Sequence, residues 1–354
     1  MPNKSNQLYI DIKRLFEKTF SSSDDIKIAR APGRVNIIGE HTDYNGFPVL
    51  PTAIDREIAF AFVPNNTSIV NLINLDIRFG SRSFELSENI ESYDSGDWGN
   101  YIKASAQAIW NWAKVNSPKS LPLIGFDASV GGTIPSSSGL SSSSAMVVAS
   151  AFALLSANNI EIEKKELADL LAKAERYVGT EGGGMDQAAS ILSQSGSVLK
   201  IDFNPIRTQT FPVPDDCVFI IANSMVRANK AGKARNAYNT RVVECRLGVQ
   251  MLKSLDKSNK LQNAVLLSDV MQNIDNWQEL LDKIPDNSMS LSKISEFINI
   301  DKSELIEKCF TTKNGTKIEL DTDSFKEVFA SLSITRAPAR GSQKLIESQE
   351  LVMH

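Results

Sequence analysis

The sequence predicts an α+β fold, because β-rich segments and amphipathic helical segments follow one another in mixed order rather than as a regular βαβ series. A length of 354 residues suggests about two domains. A hydrophobic content of 42% is ample for buried cores, and the chain shows no internal repeats. We therefore expect a globular protein of two α+β domains.

Apolar spacing predicts the elements of the N-terminal half. A helix is expected over residues 8–20, and strands over residues 26–31, 58–63, 69–73, 83–86 and 121–130. Residues 98–115 repeat apolar side chains at helical spacing and predict a helix between the last two strands. The apolar run over residues 145–155 is too short to cross a bilayer and predicts a buried helix.

Helical patterns dominate the C-terminal half. Residues 164–177 are amphipathic, with one apolar face formed by Leu167, Leu170, Leu171 and Ala174. Strands are expected over residues 197–203 and 218–223, followed by a helix over residues 234–252. Polar helical segments then extend to about residue 332.

Composition excludes several classes of function. The net charge of −4 leaves no basic footprint, so nucleic acid is not expected as a partner. The two histidines, His41 and His354, rule out a zinc site built on several histidines and leave only His41 for a Ser-His-Asp triad. Three cysteines without metal or redox spacing fit a reducing compartment. With no signal peptide or membrane-spanning run, we expect a cytoplasmic protein that does not bind membranes.

The segment ARAPGRVNIIGEHTDYNG, residues 29–46, concentrates ionisable side chains between apolar ones. Its charged or titratable residues are Arg34, Glu40, His41 and Asp43. Apolar flanks are unusual for a solvated turn and favour a polar pocket beside a buried strand. Several hydrogen-bonding side chains on one loop suit a ligand rich in hydroxyl groups. The alternative is a charged surface loop.

The segment GGTIPSSSGLSSSSAM, residues 131–146, joins a predicted strand to a predicted buried helix. In isolation its serines resemble a low-complexity linker. A loop of small residues at a helix N-terminus, however, presents free backbone N–H groups that suit a phosphate. Hydroxyls such as that of Ser143 can add a magnesium ligand. The P-loop motif GxxxxGK[ST] is absent, so the chain is not a P-loop NTPase. The dinucleotide-binding motif GxGxxG is also absent after the first predicted strand.

Two carboxylates follow the serine-rich loop. Glu175 is a candidate for the carboxylate that a magnesium-bound nucleotide needs, and a solvated helix glutamate is the alternative. Asp186 follows three glycines and begins another helical run. There it is placed to act as a base or to orient a hydroxyl in phosphoryl transfer. The alternative for Asp186 is a plain helix cap.

Taken together, these segments resemble the galactokinase branch of the GHMP kinases. GRVNIIGEHTDYNG is similar to that branch's sugar-binding signature, and PSSSGLSSSSAM to its nucleotide loop. AERYVGTEGGGMDQ, IANSMVRANK and AYNTRVVECR are similar to fungal galactokinases and to N-acetylgalactosamine kinases. The similarity covers about residues 16–252.

The resemblance implies a two-domain GHMP kinase fold. Residues 1–210 are then a ribosomal-protein-S5-like domain that binds sugar and nucleotide, and residues 211–332 a partial ferredoxin-like domain with a helical insert. The polar tail over residues 333–354 is expected to be disordered. A third glycine-rich motif of the family is absent, so we expect a C-terminally truncated chain with impaired activity.

The resemblance also implies the reaction, the transfer of the ATP γ-phosphate to the C1 hydroxyl of galactose with Mg²⁺, and a role for each matching residue. Asp186 and Arg34 are the catalytic pair that orients the hydroxyl and stabilises charge. The residues implied to bind sugar are Arg34, Glu40, His41, Asp43, Gly183, Asp186 and Tyr238. Those implied to bind nucleotide are Gly139, Ser141, Ser142, Ser143, Ser144, Asn229, Lys230 and, unless it is a core aromatic, Trp98. Those implied to hold Mg²⁺ are Ser143 and Glu175.

Three alternatives stay open for the sequence. An N-acetylgalactosamine kinase shares EGGGMDQ, although Tyr238 favours galactose. A catalytically silent sugar and ATP sensor that regulates transcription is the second, and the intact SSSSA favours an enzyme over it. A mevalonate or homoserine kinase is the third and would lack the GEHTDY cluster. In each case we expect a monomer.

Overall fold

The computed structural model describes residues 4–21, 25–222, 233–285, 289–311 and 318. Short 3-10 turns occur at Asp43–Asn45, Pro118–Ser120 and Glu175–Val178. The helices and strands of the described ranges are, in chain order, α1 (Lys4–Phe20), β1 (Lys27–Ile38), β2 (Leu50–Pro64), β3 (Ile69–Asn74), β4 (Arg82–Glu85), α2 (Gly99–Asn116), β5 (Phe126–Gly132), α3 (Ser142–Ala157), α4 (Lys164–Ala174), α5 (Met185–Leu192), β6 (Ser197–Asp202), β7 (Arg207–Pro212), α6 (Lys233–Leu255), α7 (Leu267–Asn273), α8 (Trp277–Asp282), α9 (Leu291–Ile298) and α10 (Lys302–Phe310).

The principal sheet has five strands in the order β1-β2-β5-β3-β4. All neighbours are antiparallel except β3 and β5, which run parallel. The β1–β2 register shifts between Pro32 and Arg34 and again between Asn36 and Ile38. Such irregularities re-aim the side chains that follow them. They change the direction of β1 at the beginning of the sugar-signature segment.

Alternation along β2 divides the two faces of this sheet. Ile58, Phe60 and Phe62 belong to the main core, which helices α2 to α5 complete. Ala59 and Ala61 point to the other face, where they pack against Leu8 and Ile12 of α1 and leave room for that helix. The sheet is therefore covered on one face by a helical layer and on the other by α1.

A second hydrophobic cluster is formed by helices α6 to α10. Tyr44 and Phe47, from the loop between β1 and β2, are members of this second cluster. Strands β6 and β7 form a separate hairpin, joined to the start of β2 by a bridge between Val49 and Ile201. The loop that carries the early acidic residues is thus packed against α6.

Most predicted elements are confirmed within a few residues, and several boundaries are wrong. The first strand runs on to Ile38, so Arg34 lies on β1 rather than in a loop. The second strand begins at Leu50, the fifth only at Phe126, and α4 ends at Ala174, where a 3-10 turn follows.

The strand expected over residues 218–223 is wrong for the part that the structure describes. Residues 218–222 adopt no strand, and Val218 and Ile220 are 82% and 89% exposed. Their β-branched side chains favour a strand, but no described strand pairs with them. Strand β7 was not predicted, because RTQTFP has a weak apolar pattern.

The domain division at residue 210 stays a prediction, and residues 333–354 lie outside the described residues. None of the described helices combines the length and the apolarity that crossing a bilayer requires.

Ile12→Ala should lower the free energy of unfolding by about 2–4 kcal/mol, because Ile12 is fully buried between α1 and the sheet. Ile10 on the same helix is 48% exposed, so Ile10→Ala should cost less than about 1 kcal/mol. Urea denaturation of both variants measures the difference. Equal losses would contradict the packing of α1 on the sheet.

Candidate active site

An ion pair between Arg34 and Asp186 lies at the centre of the site. Arg34 Nε donates to Asp186 Oδ1 at 2.7 Å, and the side chains are only 14% and 17% exposed. A second guanidinium nitrogen of Arg34 donates to the carbonyl of Gly139 at 2.8 Å. Burial lowers the pKa of Arg34, but the carboxylates of Asp186, Glu40 and Asp43 together raise it above its usual value. The contact joins β1, the serine-rich loop and the start of α5.

Gly33 allows strand β1 to approach the serine-rich loop. A Cβ on Gly33 would lie 2.6 Å from the carbonyl oxygen of Leu140, which is closer than real Cβ contacts. The Arg34 backbone N–H donates to that same carbonyl at 3.3 Å. Strand β1 and the serine-rich loop are therefore in direct backbone contact, and only glycine fits at position 33.

The serine-rich loop turns sharply before helix α3. Gly139 and Ser141 both have positive φ, +76° and +58°, and α3 begins at Ser142. Ser142 and Ser143 are partly exposed, whereas Ser141 and Ser144 are buried, at 5% and 0%. The N-terminus of α3 therefore presents backbone N–H groups and two accessible hydroxyls, an arrangement that suits an anion.

A cavity of about 1240 Å³ opens beside the α3 N-terminus. Gly139, Ser141, Ser142 and Ser143 line one wall. The lining also includes the aromatic residues Phe79, Tyr93, Trp98 and Tyr101. Trp98 is 6% exposed and donates from its indole N–H to the carbonyl of Gly80, so it is both a core aromatic and a cavity wall. The cavity therefore combines backbone N–H groups at a helix N-terminus with aromatic side chains, an arrangement that suits a nucleotide.

Asp43 points inward from the 3-10 turn that follows β1. Its carboxylate oxygen Oδ2 accepts from the backbone N–H groups of Gly183 at 3.1 Å and Met185 at 3.4 Å. Burial and the neighbouring Asp186 carboxylate raise the pKa of Asp43 to about 6. A Cβ on Gly183 would lie 2.2 Å from Asp43 backbone carbon. The loop around Gly183 and the acidic turn are consequently packed tightly together.

The other residues of the early cluster form the open rim. Glu40 is exposed and accepts from Asn36 at 3.1 Å, and His41 is exposed with φ +59°. His41 Nδ1 lies 2.8 Å from the Tyr44 hydroxyl, and the Tyr44 and Tyr238 rings meet at 5.6 Å between centroids. Burial raises the pKa of Tyr238 well above its usual value, so its hydroxyl remains a donor at neutral pH. An aromatic wall therefore stands beside Asp43.

Glu175 is the first residue of the 3-10 turn after α4 and is 6% exposed. The Ser144 hydroxyl donates to the Glu175 carboxylate at 2.5 Å. The same hydroxyl oxygen lies 3.4 Å from Asp186 Oδ2. Ser143 lines the cavity, and its sharing of a metal with Glu175 stays a prediction. Glu175, Ser144 and Asp186 thus form one polar group at the start of α3.

Helix α6 holds the glycine-rich loop from outside. Arg246 donates to the buried Glu181 carboxylate at 2.7 Å, and Asn239 donates to the carbonyl of Gly179 at 3.0 Å. Arg246 also donates to the carbonyls of Cys309 and Thr311 at the end of α10. These contacts connect the second cluster to the loop that carries Gly183.

Sequence reasoning missed Tyr44, Phe79, Glu181 and Arg246. The glutamate before three glycines was the available signal for Glu181, while an arginine within a helix reads as solvated. Asn229 and Lys230 lie outside the described residues, so their predicted place beside the nucleotide is not described. The structure does bring together Arg34, Asp43, Gly183 and Asp186, four residues that are up to 152 positions apart.

Two family models match the chain. The galactokinase galactose-binding signature matches residues 14–64, and the GHMP kinases N terminal domain matches residues 100–194. The galactokinase of Schizosaccharomyces pombe is 33% identical over an alignment that covers 96% of this chain and 69% of that protein. This chain belongs to the galactokinase branch of the GHMP kinases.

Other family members agree in sequence and fold. The galactokinase of Dictyostelium discoideum is 37% identical over 69% of this chain, and that of Saccharomyces cerevisiae is 38% identical over 66%. The chain spans 49% and 48% of the lengths of these relatives, about half of each. The crystal structure of Lactococcus lactis galactokinase superimposes with a TM-score of 0.57 at 18% identity, covering 95% of this chain and 94% of that one. The predicted α+β GHMP kinase fold is confirmed.

Gly183→Ala should destabilise the protein by about 1–3 kcal/mol, because its Cβ would collide with the backbone of Asp43 and Tyr44. Gly182→Ala is the matched control, since a Cβ there would meet only Glu175 at an ordinary 3.6 Å. Its effect should stay within about 1 kcal/mol. Thermal unfolding compares them, and a tolerated alanine at position 183 would contradict the packing of the two loops.

Asp43→Asn should stabilise the protein at pH 7 by roughly 1–3 kcal/mol. The folded state raises the pKa of Asp43 from 3.8 to about 6, so it holds the proton more tightly than the unfolded chain. Ionisation between pH 4 and pH 6 therefore costs stability in the wild type and costs nothing in the variant. The difference in unfolding free energy should vanish near pH 4 and become constant above about pH 6.

Denaturation curves from pH 4 to pH 8 measure this difference. The same substitution at Asp55, whose side chain is 91% exposed, is the control and should show no comparable rise. A difference at position 43 that does not change with pH would contradict the burial of the carboxylate.

Proposed function

We propose that this chain transfers the γ-phosphoryl group of ATP to the C1 hydroxyl of galactose. The observation that carries the proposal is the Arg34–Asp186 ion pair, which places a carboxylate and a guanidinium between the sugar signature and the serine-rich helix start. Galactokinases are the relatives of this chain, and the Lactococcus lactis structure is a complex with galactose.

The sugar would bind between Asp43 and the rings of Tyr44 and Tyr238. In this proposal the carboxylate of Asp43 accepts hydrogen bonds from sugar hydroxyls, and Glu40 and His41 add partners at the open rim. Gly183 leaves space for the ring to approach the backbone, and the rings of Tyr44 and Tyr238 cover an apolar face of the sugar. The cluster of hydroxyl-binding groups around Asp43 and its accessible rim support this arrangement.

The nucleotide would occupy the cavity of about 1240 Å³. Its phosphates would lie at the N-terminus of α3, against Gly139 and the hydroxyls of Ser142 and Ser143. The base would pack on the aromatic side chains that line the cavity, which include Trp98. We propose that Ser141 contributes through its backbone, since its side chain is buried, and that Asn229 and Lys230 flank the nucleotide.

The residues present fit Mg²⁺. Mg²⁺ prefers oxygen ligands and usually takes only one or two carboxylates together with substrate phosphates. Among the described residues no group of three or more His, Cys, Asp or Glu side chains could hold a metal. Glu175 and Ser143 would instead hold the ion together with the nucleotide phosphates. When bound, the ion neutralises the charge of those phosphates.

The chain's own groups would then carry out positioning and charge stabilisation. Asp186 would orient the C1 hydroxyl and receive its proton, because its carboxylate is fixed by Arg34 at 2.7 Å. Arg34 would stabilise the negative charge that develops on the transferred phosphoryl group. Catalysis in phosphoryl transfer rests largely on such placement.

We further propose that the protein acts as a monomer in the cytoplasm, with the sugar and ATP as its partners. Its described cysteines are free, with Cys245 and Cys309 buried, which supports a reducing compartment. Light scattering of the purified chain measures its molar mass and so tests whether it is a monomer.

Incubation with ATP, Mg²⁺ and galactose should release ADP only when the sugar is present, and ³¹P NMR should identify galactose 1-phosphate. N-acetylgalactosamine is the competing substrate. Faster turnover of N-acetylgalactosamine than of galactose would identify N-acetylgalactosamine as the substrate. Binding of galactose and ATP without ADP release would contradict the kinase and support a silent sensor.

Asp186→Asn should lower kcat at least about 10³-fold, because the amide neither receives the proton nor pairs with Arg34. Asp169→Asn removes the same charge from an exposed site on α4, so its kcat should change less than about twofold. Steady-state kinetics and circular dichroism separate loss of activity from loss of fold. More than a few per cent of wild-type kcat in Asp186→Asn would contradict the proposed role.

A further inference from the structure

Ser144 occupies an unusual place for a helix-start serine. It lies in the first turn of α3 and is 0% exposed. A serine in this position commonly bonds to the backbone of its own helix. The Ser144 hydroxyl instead contacts carboxylates from two other elements, Glu175 at 2.5 Å and Asp186 at 3.4 Å. Three segments of the chain meet at this one hydroxyl.

The two contacts are not equivalent. A serine hydroxyl has one proton, so it donates to one carboxylate at a time. The shorter contact identifies Glu175 as the acceptor, and Asp186 Oδ2 lies at the outer limit of a hydrogen bond. The other carboxylate oxygen of Asp186 accepts from Arg34. Arg34 therefore pairs with one oxygen of Asp186, and the other oxygen lies beside the Ser144 hydroxyl that donates to Glu175.

Direct contact of the Ser144 hydroxyl with a phosphate does not fit this geometry. Its side chain has no exposed surface and does not line the cavity, whereas Ser142 and Ser143 do. Of the four consecutive serines, the first three line the cavity and only Ser144 does not, although Ser141 is also buried.

We propose that Ser144 is a positioning residue that holds the Glu175 carboxylate by a hydrogen bond beside the Asp186 carboxylate, so that the metal-holding and substrate-orienting groups keep a fixed separation. The inference rests on the proposed function, because it assigns Glu175 to Mg²⁺ and Asp186 to the sugar hydroxyl. Hydrogen-bond partners of metal-ligating carboxylates orient them, and their loss typically costs about 10- to 100-fold in metal affinity or activity.

The test compares Ser144→Ala with Ser150→Ala in the full chain. Ser150 is a matched control: it is on the same helix, is 1% exposed, and bonds to Ser105 and the carbonyl of Val147 rather than to carboxylates. Both variants lose one buried hydroxyl and should lose similar thermal stability. Ser144→Ala should lower kcat about 10- to 100-fold with a galactose KM within about threefold of wild type. Ser150→Ala should leave both within about threefold.

A second measurement does not depend on turnover. Electron paramagnetic resonance of Mn²⁺ in the presence of a non-hydrolysable ATP analogue should show affinity about tenfold weaker in Ser144→Ala and unchanged in Ser150→Ala. Ser144→Cys keeps a weak donor of similar size and should recover part of the affinity.

Equal behaviour of the two alanine variants in kinetics and in Mn²⁺ affinity would overturn the proposal. If the wild type binds Mn²⁺ and nucleotide but forms no sugar phosphate, the kinase proposal fails, and weaker Mn²⁺ binding by Ser144→Ala would still support the positioning role. A wild-type chain that binds no Mn²⁺ with nucleotide would overturn the metal site and the role of Ser144 together.

Discussion

The buried contact between Arg34 and Asp186 is the interaction on which the rest of the site depends. It joins residues 152 positions apart and lies where β1, the serine-rich loop and α5 meet. Burying two charges is costly, and close pairing with hydrogen bonds offsets that cost. The third partner, the carbonyl of Gly139, uses another donor of the guanidinium. The Arg34 guanidinium therefore holds β1, the serine-rich loop and α5 together through two acceptors, the Asp186 carboxylate and the Gly139 carbonyl.

Several groups around this pair are held in ways that favour binding over stability. Asp43 is half-buried near Asp186 and its pKa is raised, so its ionised form is held at a cost to the fold. Gly33 and Gly183 are placed where no side chain fits, which brings three backbones close together. Perturbed carboxylates in a cleft are typical of functional sites. The Glu181 and Arg246 contact adds support from α6, outside the cleft.

Local patterns were sufficient for most elements, and contacts distant in sequence decided the rest. The helices α1 and α2 follow from apolar spacing, because their buried residues repeat every three or four positions, and α3 follows from a continuous apolar run that is buried on nearly all sides. The first strand was predicted to end at residue 31, yet β1 continues past Pro32 and Gly33 through an irregular register. Among four consecutive serines, only the helical phase and the position of Glu175 determine that Ser144 is the one facing the carboxylates. Arg246 gave no signal, since its partner Glu181 lies 65 positions away.

A crystal structure of the chain with galactose, Mg²⁺ and a non-hydrolysable ATP analogue tests the central claim most directly. The account predicts the C1 hydroxyl oxygen within about 3 Å of the Asp186 carboxylate and the terminal phosphate beside Arg34 at the start of α3. A sugar bound away from Asp43, or one whose C1 hydroxyl points away from Asp186, would contradict it.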